Sequence, residues 1–72
     1  MNDPYENLAN AIIIQAVKDY REALNILRYS PEDKNAIASK AEIERFFRSD
    51  WFGLLTKVDP EKLISRLLKE VA

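Results

Sequence analysis

The run from Asp3 to Tyr29, DPYENLANAIIIQAVKDYREALNILRY, decides the architecture. Its apolar residues Ile13, Val17, Tyr20, Leu24 and Leu27 recur at alternating steps of four and three, the spacing that lines one face of a helix and packs it against another. At the head of the run Asp3 precedes Pro4, with Glu6 three residues beyond the aspartate. An Asp side chain can accept the orphan amide protons of a helix start, proline's fixed φ suits the first helical position, and Glu6 completes a capping box. This grammar predicts a first helix from about Pro4 to Tyr29.

The same punctuation recurs at Ser30-Pro31-Glu32-Asp33 and at Asp59-Pro60-Glu61. It predicts a second helix starting at Pro31 under Ser30 and running to about Arg48, with Glu32 and Asp33 in the first turn, where carboxylates favour the helix dipole. That helix begins with little bulk (Ala36, Ile37, Ala38, Ala41) and then gains it at Ile43, Phe46 and Phe47. Small residues let helices approach closely, so its first half is expected against the first helix. The stretch FFRSDWFGLL, Phe46 to Leu55, reads as a tight corner, with Ser49 or Asp50 capping a short helix that reaches about Lys57. Gly53, the only glycine, reads as a helix terminus or a point of close backbone contact. Phe47 and Trp51, four apart, are expected to wedge the corner as the costliest aromatic truncations. A last helix begins at Pro60 under Asp59, with the apolar stripe Leu63, Ile64, Leu67, Leu68 and Val71. No period-two alternation, repeat or low-complexity tract appears. The fold class is therefore all-α: one domain over residues 1–72, a small bundle of three main helices plus one short helix.

Seventy-two residues bury only about 60% of the surface the unfolded chain exposes. With no Cys and no His, disulfides and ordinary zinc sites do not supplement that core. Self-association remains. A second stripe on the first helix, Leu8, Ile12, Ala16, Ala23 and Ile26, interrupted by Asp19, widens its apolar face beyond what one neighbour covers, and either packs as ordinary core or meets another copy of the chain. A homo-oligomer is the expectation.

Hydrophobic residues form 47% of the chain and charged ones 32%, a globular balance. Eleven basic and 12 acidic residues leave a formal charge of −1, which argues against nucleic acid or an anionic membrane as partner. The longest apolar run, Ala11 to Ile14, is far below the roughly 20 residues of a membrane span. Asn2, Asp3 and Glu6 stand where the basic region of a signal peptide would lie, so a cytoplasmic location is expected.

Catalytic chemistry finds little support. Glu42 with Glu44, and Asp59 with Glu61, are two apart, which on a helix points the carboxylates away from each other. Serine nucleophiles lack a histidine base, and one glycine cannot build a phosphate loop. No catalytic, metal or cofactor-binding residue is assigned, and the chain is read as a non-enzyme. Binding residues are better candidates. Lys18, Arg21 and Arg28 share one side of the first helix, Arg45 and Arg48 lie on the second, and Lys62, Arg66 and Lys69 on the last. Converging stripes could hold a nucleotide or other anion, or an acidic partner; interleaved Glu22, Glu44 and Glu70 offer the alternative of mutually paired, solvated faces. Phe46, Phe47, Trp51 and Phe52, with Arg45 and Arg48 among them, have the composition of a docking or base-stacking surface, and equally of a core. Arg21, Arg28, Arg45, Arg48, Trp51 and Phe52 are the candidate contact residues.

Three segments, QAVKDYREAL (Gln15 to Leu24), ERFFRSDWFGLLT (Glu44 to Thr56) and VDPEKLISRLLKE (Val58 to Glu70), resemble a family of short uncharacterised proteins encoded by phages and prophages of Gram-positive bacteria. The most specific part is Glu44 to Phe52. The resemblance implies a setting in the host cytosol and a host protein, including one of host defence, as partner; it implies no catalytic residue. A nucleotide-sequestering oligomer and a nucleic-acid-associated accessory are the other two readings.

Overall fold

The computed structural model of the chain describes residues 4–71. Four helices follow in order: α1 (Pro4–Tyr29), α2 (Lys34–Phe47), α3 (Asp50–Leu55) and α4 (Pro60–Val71). Among the described residues there is no strand. The expected all-α bundle of three main helices and one short one is the observed fold. The cap and capping box assigned to Asp3 and Glu6 lie outside what the structure describes.

At about 1.5 Å per residue, the 26 residues of α1 run close to 39 Å, nearly the 42 Å long axis of the molecule. The other helices pack along this rod, α2 turning back over it. Their contact is centred where the sequence periodicity placed it. Tyr20 and Leu24 of α1 meet Phe47 of α2, Phe52 of α3, and Ile64 and Leu67 of α4 in one buried cluster, flanked by half-buried Ile13, Val17, Ile43, Phe46 and Leu63. The rings interlock edge to face, Tyr20 on Phe47 at 5.7 Å and Phe47 on Phe52 at 5.5 Å between centroids. The second stripe of α1 divides: Ala23 is buried, whereas Leu8 and Ile26 stay exposed.

The start of α2 departs from expectation. The helix begins at Lys34 and is capped by Asp33, whose carboxylate accepts from the Ala36 amide at 2.9 Å. Ser30 instead prolongs the hydrogen bonding of α1 through its amide to the Ile26 carbonyl (2.7 Å), and its own carbonyl accepts from the Asp33 amide (3.0 Å). Pro31 therefore occupies the second position of a β-turn, which its fixed φ suits as well as a helix start. Four other terminus expectations resolve more simply. Ser49 caps α3, its hydroxyl accepting from the Phe52 amide at 3.2 Å, and Asp59 caps α4, accepting from the Glu61 amide at 2.9 Å. The short helix stops at Leu55, because Thr56 is fully extended (φ −157°, ψ 160°), and does not reach Lys57. Gly53 is neither a terminus nor a close contact: it sits inside α3 with ordinary negative φ, and a Cβ built on it meets nothing within 4 Å.

Candidate docking groove

Behind the aromatic core runs a polar link. Tyr20, fully buried, donates its hydroxyl proton to Glu44 Oε2 at 2.6 Å, and the Lys40 ammonium donates to the same oxygen at 2.6 Å. Burial first, and then the Glu44 acceptor, push the Tyr20 phenol well above its ordinary range. Glu44 feels burial working to raise its pKa, but hydrogen bonds from Lys40 and Tyr20 and the nearby Lys40 and Arg48 charges outweigh it and hold the carboxyl below the usual value. Nothing in the sequence signals this pair, because 24 residues separate its members.

The six candidate contact residues fall into different settings. Arg21 lays its guanidinium on Glu70 (2.8 and 3.0 Å), and Arg48 does the same on Glu61 (2.7 and 3.0 Å), so both basic stripes meet carboxylates of α4. These forks tie α4 to α1 and α2, which is the paired-face alternative. Arg28 stands 5.8 Å over the ring of its neighbour Tyr29, and Arg45 is exposed in the last turn of α2. Phe52 is only 1% exposed, since the Ser49 cap turns α3 so that this ring points into the cluster; it is a core residue and offers nothing to a partner. Trp51, one residue earlier, points the other way. It is 54% exposed and touches the molecule through an edge-to-face contact with Phe46 at 5.6 Å, so it is not the wedge its spacing from Phe47 suggested.

Trp51 stands at one end of a groove between α1 and α2. Its near part, about 380 Å³, is lined by Ile12, Gln15, Ala16, Ile43, Phe46 and the indole itself. Its far part, about 440 Å³, passes Ala23, Ile26, Ala36 and Ser39. Asp19, Glu42 and Ile43 line both parts, so the two adjoin at these residues. The furrow exists because Ala16, Ala23 and Ala36 lack the bulk to close it. The sequence carried one hint of it, the interruption of the second apolar stripe by Asp19; the joining of that stripe to Glu42 and Trp51 depended on the α1–α2 packing.

Among the described residues no helix is long and apolar enough to cross a membrane, and no three acidic side chains are grouped to hold a metal ion. No protein-family model, no curated protein and no solved structure matches this chain.

Proposed function

We propose that this domain acts by binding: a small phage-type accessory or inhibitory protein that engages a host protein in the cytosol, host defence included, and performs no catalysis of its own. The observation that carries the reading is the half-exposed Trp51 at the mouth of an apolar furrow. A large aromatic anchor beside a groove is the arrangement from which binding hot spots are built, and a domain this size would gain by burying it. The two arginines best suited to grip an anion already hold carboxylates of their own chain, which favours protein docking over nucleotide capture.

Self-association belongs to the same reading, through a different surface. Ile13 packs inward, so the first stripe of α1 is not free for a copy. Leu54 of α3, 84% exposed, is the most exposed large apolar side chain among the described residues, beside the open backbone of Gly53, and a two-fold contact there would leave the groove free.

Affinity capture from a Gram-positive host lysate, with the parent and Trp51→Ala side by side, tests the docking reading. A host protein retained by the parent and lost by the variant supports it; identical retention by both sinks it.

A further inference from the structure

We propose that the occupant of the α1–α2 groove is an amphipathic helix of the partner protein bearing Lys or Arg beside its apolar stripe, an inference that rests on the protein-binding reading above. The groove segregates charge. The chain has 11 basic and 12 acidic residues, yet Asp19, Glu22, Asp33 and Glu42 line the two parts of the groove and no Lys or Arg does. These carboxylates are not balanced internally. The ion pairs among the described residues go to Glu44, Glu61 and Glu70 instead. Asp19 accepts only from the Gln15 amide, Asp33 caps α2, and no hydrogen bond reaches Glu22 or Glu42 among the described residues. The near part has an apolar floor of Ile12, Ala16, Ile43 and Phe46, whereas the far part is more polar than apolar. Acidic side chains spread along both, rather than grouped for one metal ion, match a row of cations on a helix whose apolar residues seat beside Trp51.

Size agrees. From Ile12 to Ile26 the α1 wall rises about 21 Å, or four helical turns, which suits a helix better than a small molecule. A nucleic acid would be repelled. A second folded copy is also a poor occupant: its basic helix, α4, already buries Ile64 and Leu67 in its own core, and what it shows outward is Lys62, Ser65, Arg66 and Lys69 with Leu68 as a single exposed apolar residue rather than a stripe.

Two synthetic peptides test this on the full chain, each about 18 residues and free of Trp, with the same Leu/Ala stripe, flanked by Lys in one and by Glu in the other. Trp51 is the only tryptophan, so its emission reads the groove directly. The Lys-flanked peptide should bind saturably and shift that emission to the blue, weaken as salt is raised from about 0.05 to about 0.5 M, and lose at least about tenfold in affinity to either Glu42→Lys or Glu22→Lys. Both positions are exposed, so the variants should melt with the parent. Equal binding of both peptides, binding of neither, or indifference to Glu42→Lys would each overturn the inference. So would a parent dimer that Glu42→Lys dissociates, since the occupant would then be a copy. A host protein that requires Trp51 but is retained by Glu42→Lys and at high salt would overturn the basic-helix assignment alone; one indifferent to Trp51 overturns the docking reading beneath it.

Discussion

Tyr20 and Glu44 make stability depend on pH at both ends, and Glu61 and Glu70, held low by Arg48 and Arg21, add to the acid limb. Glu44 titrates below the ordinary carboxylate range in the folded state, so the stability it lends is complete above about pH 4.5 and is lost as pH falls through its lowered folded value. Tyr20 titrates above the ordinary phenol range, so its contribution is complete below about pH 10 and drains away as alkali approaches its raised folded value. Tyr20→Phe keeps the ring packing and removes the hydroxyl. It should cost about 1.5–3 kcal/mol at neutral pH, the worth of a hydrogen bond to a charged group, and in a stability profile measured by urea unfolding should flatten the alkaline limb while only shallowing the acid one, where Lys40 and Arg48 still hold Glu44. An unchanged alkaline limb would mean that another group titrates there. Gly53 offers the opposite change. Helix interior, negative φ and empty space at its Cβ position predict that Gly53→Ala stabilises by about 0.5–1 kcal/mol, seen as a higher urea midpoint at constant slope.

Helix boundaries and the two faces of α3 are the matter of the element scale. Asp33→Ala should cost about 0.5–2 kcal/mol while Ser30→Ala costs little, because only the Asp33 side chain holds an α2 amide. Equal costs would restore the earlier start at Pro31. Phe47→Ala should cost about 3–5 kcal/mol, whereas Trp51→Ala forfeits an edge contact worth about 0.5–1.5 kcal/mol. Periodicity carried the helices well: Ile13, Val17, Tyr20, Leu24 and Leu27 are all buried or half-buried, as are Leu63, Ile64, Leu67 and Val71, while Leu68 of the same α4 stripe is exposed at its edge. It failed where two local solutions compete. Proline's φ serves a turn as readily as a helix start, and Asp33 wins the cap by reaching Ala36. It failed again across Ser49, whose cap breaks the register between Phe47 and Trp51 and so exposes the indole and buries Phe52. The basic stripes were legible as stripes, but their carboxylate partners on α4 were set by packing.

For the whole molecule, the radius of gyration is 13.0 Å, against about 11 Å for a compact chain of this length, because one helix runs nearly end to end. The exposed Leu54 on α3 predicts self-association, read by sedimentation equilibrium over micromolar concentrations and abolished by Leu54→Lys with little change in melting temperature. A parent that stays monomeric throughout removes that proposal and leaves the groove reading intact. The same long helix has a consequence for biosynthesis. Tyr20 and Leu24 of α1 are translated before every residue that covers them, Phe47, Phe52, Ile64 and finally Leu67. At about 5–20 residues per second, the interval between translating Leu24 and Leu67 lasts about 2–9 s, long against the microseconds in which a helix forms. The core cannot close until Leu67 has been added, so folding of this domain follows the synthesis of α4 instead of accompanying that of α1.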